Sequence, residues 1–282
     1  MKILAIGDFH GKFPKKFEKI IKKEKIDLVV SVGDYSPFSL KKEFFKDIYL
    51  NKDKNVWDYI GKKKYKEKIR SDYKKGEEVF KKLSKLSVPV FTVLGNHDYP
   101  SDDMWDENFK SSWSWDNKEI YFISKALKKY PHIKRIDYSY AKIKDYIFIG
   151  MRGHSNVGKI QSKAYKRYRA KLDKLFKKFS EENKQGKIIF VSHNSPYNTK
   201  LDLITAKDAH KRAKNKHFGS KMFRRLIDKY QPVLSISGHI EEGKGKQKLG
   251  KTIAVNCGSI HHGEGAIIEL DKGKVKKVKF VK

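Results

Sequence analysis

Five short polar clusters each follow an apolar run. They are Asp8 and His10 in GDFHG, Asp34 in SVGDYS, Asn96, His97 and Asp98 in LGNHD, His193 in VSHNSP, and His239 and Glu241 in SGHIEEG. Carboxylate, imidazole and amide oxygen are together suitable ligands for Mn²⁺, Fe, Zn²⁺ or Mg²⁺, and no thiolate is needed. Asp8 and His10 are two residues apart, so in an extended segment their side chains share a face. Gly7, Gly33, Gly95 and Gly238 each precede a candidate ligand and are expected to let the backbone turn sharply off a strand end. A lone Asp-x-His or a lone His is common in proteins that bind no metal. The weight lies in the series of five, each placed after a strand.

The elements that must position these residues alternate. Lys2–Gly7, Asp27–Val32 and Val88–Leu94 are short apolar runs expected to be buried strands. Lys187–Val191 and Pro232–Ser237 are two more, and Tyr138–Ile143 with Tyr146–Gly150 reads as a pair turning at Lys144–Asp145. Pro14 can open a helix whose apolar residues Phe13, Phe17, Ile20 and Ile21 share a face. Lys163–Phe179 and the segment holding Met222, Phe223, Leu226, Ile227 and Tyr230 are amphipathic in the same way. Asp98–Asn117 shows no clear period and reads as a loop. The tail from about Lys248 reads as short strands and glycine turns. Strands alternating with helices, without an internal repeat or linker, predict one α/β domain. In such sheets ligands gather at the carboxyl ends of parallel strands, where the five clusters would converge.

Composition narrows the function classes. The chain has 282 residues, 65 Lys plus Arg against 33 Asp plus Glu, and a net charge of +32. That excess fits a polyanionic partner such as nucleic acid, or a general lysine-rich habit. A hydrophobic fraction of 38% excludes wholesale disorder. No apolar run approaches the roughly 18–20 residues needed to cross a bilayer. Cys257 is the single cysteine, which excludes an intrachain disulfide and a thiolate zinc cluster. The expectation is a soluble, cytoplasmic protein with no membrane partner.

The series GDFHG, VGDYS, LGNHD, SHNSP and GHIEE resembles the calcineurin-like metallophosphoesterase family, whose pattern is D-x-H, G-D, G-N-H-[D/E], a lone H, and G-H-x-H. The match runs from Asp8 to Glu241, and NCGS (Asn256–Ser259) is similar to the family's N-P-G-S turn with Cys257 in place of Pro. The resemblance implies an α/β fold of four layers, a two-sheet β-sandwich flanked by helices. It is expected to form a single domain over 1–282, with a helical insertion about 36–87 and a loop insertion about 99–125. It also implies two divalent metal ions. The expected metal is Mn, with Fe, Zn or Mg as alternatives, since an oxygen ligand from Glu241 would make the first site harder. Carried over by position, Asp8 and His10 bind the first ion, Asp34 bridges, and Asn96, His193 and His239 bind the second. His97 would donate a proton to the leaving group or hold a phosphoryl oxygen. Asp98 would accept a hydrogen bond from His97, orienting it and raising its pKa. One position departs from the pattern. Glu241 stands where the family has the last His, so it either ligates through oxygen or leaves the first site weak.

The implied reaction is hydrolysis of phosphomono- or phosphodiesters by a metal-activated hydroxide, with no covalent phosphoenzyme. A nuclease acting on DNA or RNA is the alternative within the class. A non-catalytic nucleic-acid-binding or scaffold protein is the alternative outside it, and the His97–Asp98 pair argues against that. Among the remaining residues, His154 is a candidate substrate contact, and Glu242 a candidate substitute for Glu241. His132, His210 and His217 are expected at the surface, as are His261 and His262, which could instead lie near the site. Trp105, Trp113 and Trp115 could stack on a base or simply pack a loop. The basic run Gly61–Arg70 reads most simply as a solvated helix face.

Overall fold

β1 (Lys2–Ile6, KILAI) is apolar on both faces because both faces are covered. In the computed structural model, which describes residues 1–44, 55–98, 113–119, 122–154, 162–207, 209, 211 and 213–282, Ile3 and Ala5 pack against a second sheet. Leu4 and Ile6 pack against helices. The same two-sided burial recurs in β2 (Leu28–Ser31), β6 (Tyr146–Met151), β7 (Ile188–Asn194) and β8 (Leu234–Gly238), each buried along its length.

Twelve strands among the described residues form two six-stranded sheets. The first runs β12-β11-β1-β2-β3-β4, with β3 (Val90–Thr92), β4 (Ile133–Arg135), β11 (Gly265–Asp271) and β12 (Lys274–Val281). The second runs β5-β6-β7-β8-β10-β9, with β5 (Tyr140–Ile143), β9 (Gly245–Leu249) and β10 (Thr252–Asn256). Within each, four neighbouring strands are parallel: β1 to β4, and β6, β7, β8 and β10. The remaining strands β11, β12, β5 and β9 pair antiparallel, and the edge strands β12 and β9 carry alternating lysines that discourage pairing with another chain.

Between the sheets lies a core that includes Val30, Phe91, Phe148, Ile189, Val191 and Ile236. Outside the first sheet pack α1 (Lys16–Lys23) through Phe17 and Ile21, and α3 (Lys62–Leu83) through Val79, Phe80 and Leu83. Outside the second pack α6 (Lys163–Lys178) through Tyr165, Tyr168, Leu172 and Phe176, and α8 (Lys221–Tyr230) through Phe223 and Leu226. The result is the expected four-layer sandwich.

The structure differs from expectation in the segments between β2 and β4. The 22-residue α3 belongs to the helical layer, with α2 (Val56–Ile60) before it, so much of 36–87 is crossover between two parallel strands. Of the segment read as a loop, Ser114–Glu119 is helix α4, and Phe122–Lys129, partly within 99–125, is helix α5. Residues 99–112, with Trp105, lie outside the described residues. α7 (Ser180–Lys184) follows α6. No described helix is long and apolar enough to cross a membrane.

Candidate metal centre

The site forms where the two parallel cores end together. β1 delivers Asp8, β2 Asp34, β3 Asn96, β7 His193 and β8 His239. The strand ends are stitched by backbone bonds: Asp8 N–H donates to Gly33 O (2.9 Å) and His10 N–H to Asp34 O (3.0 Å). Among the bonds that cross between the sheets is one from His239 N–H to Asp8 Oδ2 (3.0 Å).

The segment after β1 is not extended. Asp8 and His10 both have positive φ, +53° and +44°, with Phe9 buried between them. The shared direction of their side chains comes from alternating left-handed residues, a costly conformation for non-glycine residues that concentrates at functional sites. The glycines also differ in role. Gly33 has φ +91° and turns the chain as expected. Gly95 and Gly238 instead make room: a Cβ on Gly95 would lie 2.0 Å from Asp34 Oδ1, and one on Gly238 2.5 Å from Asp8 Oδ2.

Two ligand sets result, sharing Asp34. In one, atoms of Asp8, His10 and Asp34 lie within 4.8 Å of one another; in the other, atoms of Asp34, His193 and His239 do so. Asn96 joins the second, its Oδ1 lying 2.8 Å from His193 Nε2. The chemistry of this second set fits a cation. His193 Nδ1 is 2.7 Å from Val32 O, which can only accept, so Nδ1 carries the proton. In the neutral ring Nε2 is then a bare lone pair. It faces Asn96 Oδ1 and, at 3.0 Å, His239 Nδ1. Two ring nitrogens and an amide oxygen thus converge in a buried place, a donor set that a cation would fit.

The buried carboxylates and imidazoles of the two sets shift one another's titration. Burial pushes the Asp8 carboxyl up to about 7, with His193 opposing and Asp34 adding to the rise. Asp34 is held below the usual carboxylate range: burial would raise it, but His193, His97 and His10 outweigh that. Burial would lower His10, yet its bond to Glu241 and the nearby Asp34 and Asp8 raise it to about 9. Burial and His193 take His239 down to about 3, which leaves it neutral and able to ligate.

Glu241 lies against the first set. Its Oε1 is 3.3 Å from His10 Nε2 and its Oε2 3.0 Å from His262 Nε2. Glu242 is no substitute, since its Oε1 accepts from Thr205 N–H (3.2 Å) and Ala206 N–H (3.3 Å).

Asp98 requires a correction. Its Oδ2 accepts from Asp34 N–H (2.7 Å) and Gly95 N–H (2.8 Å), and its Oδ1 from Tyr35 N–H (3.1 Å). Its carboxylate is therefore committed to three backbone amides, not to His97. The expected rise in the His97 pKa is likewise reversed, because burial lowers it with Asp34 opposing. His97 is oriented instead by Phe38, whose ring lies 4.3 Å from it, and by its own N–H, which donates to Asp34 Oδ1 (3.0 Å).

Other candidates separate clearly. His154 follows β6, and its N–H donates to Asn194 Oδ1 (3.0 Å), beside His193. His261 and His262 belong to the rim: the His261 ring is 6.0 Å from that of His10. Sequence reasoning undervalued this pair because a glycine-rich turn carries no period to aim its side chains. His217 is half-buried and bonded to Asp202 (2.7 Å), away from its expected surface role. His132 is exposed as expected, and His210 lies outside the described residues. Asn256 of the NCGS turn is buried and structural, donating to Ile240 O (2.8 Å) in the loop that carries His239 and Glu241.

With this geometry in hand, comparison with known proteins is decisive for the class. Residues 1–280 match the model of a metallophosphoesterase family of the calcineurin superfamily. The chain belongs to that family. A first crystal structure is 22% identical with a TM-score of 0.67, covering 99% of this chain and 98% of its own. A second, from Thermus thermophilus, is 17% identical with a TM-score of 0.58, covering 99% and 97%. A dimetal phosphatase from Danio rerio is 10% identical with a TM-score of 0.54, covering 96% and 92%. At these identities the likeness is one of fold. No curated protein matches the chain in sequence.

Proposed function

We propose that the protein hydrolyses phosphomono- or phosphodiesters at the carboxyl ends of β1, β2, β3, β7 and β8. The observation that carries this reading is the pair of ligand sets sharing Asp34. Asp8, His10 and Asp34 would hold one divalent cation, and Asp34, Asn96, His193 and His239 the other. Two such ions supply positive charge for the phosphoryl oxygens and make a water acidic enough to attack phosphorus. Manganese accords best with the donor set, in which carboxylate and amide oxygens accompany imidazole. His97, joined through its backbone to Asp34, is the donor for the leaving oxygen or for a phosphoryl oxygen. A cytoplasmic location accords with the single buried thiol of Cys257.

The test is hydrolysis of an aryl phosphomonoester and an aryl phosphodiester before and after chelation. Chelated protein should be inactive, with activity restored by Mn²⁺, and equal activity in both states would refute the reading. His97→Ala should keep both ions and lose about 10²–10⁴-fold in kcat, the usual range for a proton donor. Loss of ions along with rate would make His97 a ligand. The charge of +32 supports a second reading, cleavage of nucleic acid, which the same assay decides with a labelled oligonucleotide.

A further inference from the structure

Two sequence features that the catalytic site leaves unused come together on one face. α3 carries Lys62, Lys66, Arg70 and Lys74 at i, i+4 spacing, so cations recur about every 6 Å along it. Trp113 and Trp115 lie against this stripe. Lys62 Nζ is 5.1 Å from the Trp113 ring centre, and Lys66 Nζ is 5.0 Å from Trp113 and 5.2 Å from Trp115. The Arg70 guanidinium is 5.4 Å from Trp115. The two indoles are 5.0 Å apart, and Trp57 packs 5.5 Å from Trp113. Lys62, Arg70 and Lys74 are exposed, and neither Trp113 nor Trp115 is fully buried. A groove between α3 and α5 continues the surface, with Arg70, Lys74 and Lys125 in its lining beside Glu119 and the Lys129–Glu77 ion pair.

Cations resting on indoles could serve only to cap an aromatic cluster. Two observations go further. The charge is unbalanced: Gly61–Arg70 holds six Lys and Arg against Glu67 alone, and among the ion pairs of described residues Arg70 reaches only Glu119, at 3.8 Å. The stripe also leads to the metal centre. Asp72, next along α3, accepts from Ser39 N–H (3.0 Å) and Ser39 Oγ–H (2.6 Å). That contact fixes the loop whose Phe38 packs on His97. From Lys62 to Asp72 the helix rises about 15 Å.

We propose that this face binds single-stranded nucleic acid. Bases stack on Trp113 and Trp115, and the displaced side chains of Lys62, Lys66 and Arg70, with Lys74, pair with the phosphates. Single strands are specified because indoles need an unstacked base, which a duplex does not offer, while a row of cations tracks any sugar–phosphate backbone. Binding at this surface is independent of turnover at the metal centre.

The test is titration of the full-length protein with a short thymidine homopolymer, following tryptophan emission and the anisotropy of an end label. A denaturing gel monitors whether the strand stays intact. Three of the four tryptophans lie in this cluster, so stacking should quench emission strongly. The triple variant Lys62→Gln, Lys66→Gln, Arg70→Gln should bind at least tenfold more weakly. Its log–log salt slope should be shallower by about 2, as expected for three lost phosphate contacts on a single strand. A control triple on exposed α6 positions, Lys166→Gln, Lys174→Gln, Lys177→Gln, removes the same charge and should stay within about threefold of wild type, the spread expected for generic electrostatics. Equal weakening in both triples would overturn the proposal. So would binding without quenching, or duplex binding as tight as single-strand binding.

Discussion

Asp98 shows how far a residue's type can be read and where its role departs. An Asp after Gly-Asn-His was legible as part of the site. Its partners were not, because they are backbone amides supplied by Asp34 and Tyr35 more than sixty residues away. Asp98→Asn leaves a side-chain NH₂ facing backbone donors, so at least one buried amide loses its acceptor. The expected cost is about 1–3 kcal/mol, read by chemical unfolding, together with weaker cation binding as Asp34 and Asn96 lose their register. If Asp98 served His97 instead, turnover would fall while unfolding and metal content stayed at wild-type values. Glu241 was legible as a departure from the family pattern, whereas its contact with His262 depends on a turn that gave no periodic signal.

Among the elements, β1, β2, β6, β7 and β8 were legible because apolar residues on both faces have one physical explanation, burial between layers. α4 and α5 were not. α4 is too short and polar to show a period. α5 does carry one in Phe122, Ile123, Ala126 and Leu127, but it falls across the end of the segment read as a loop and is fixed by contacts such as Tyr73 stacking on Phe122 at 3.8 Å. The reason for the glycines at the strand ends was also hidden, since close approach between two strands is invisible along one of them. Gly95→Ala places a methyl 2.0 Å from Asp34 Oδ1 and 2.5 Å from Asp34 N. It should push the ends of β2 and β3 apart, destabilise the fold by about 1–3 kcal/mol, and deplete both cations because Asp34 serves both. Metal analysis of the purified variant reads this directly, and a full complement of two ions would show that the strand ends can part without moving Asp34.

For the whole molecule, the order of layers was legible from alternation and from the ligand series, while the distribution of the +32 charge was not. The structure leaves lysines along the exposed edges β9 and β12 and along α3. Such an excess repels itself in the folded state. The melting temperature should therefore rise as sodium chloride increases from about 0.01 M to about 0.15 M, where the Debye length falls from about 30 Å to about 8 Å. A fall over that range would mean that ion pairs such as Lys144–Asp27 outweigh the repulsion. The central claim is that one carboxylate, Asp34, joins two cation sites at the meeting of two sheets. It is tested most directly by anomalous diffraction from a crystal equilibrated with Mn²⁺. Two peaks about 3.5–4 Å apart should flank Asp34, one against Asp8 and His10, the other against Asn96, His193 and His239. A single peak, or two peaks of which one does not touch Asp34, would contradict it.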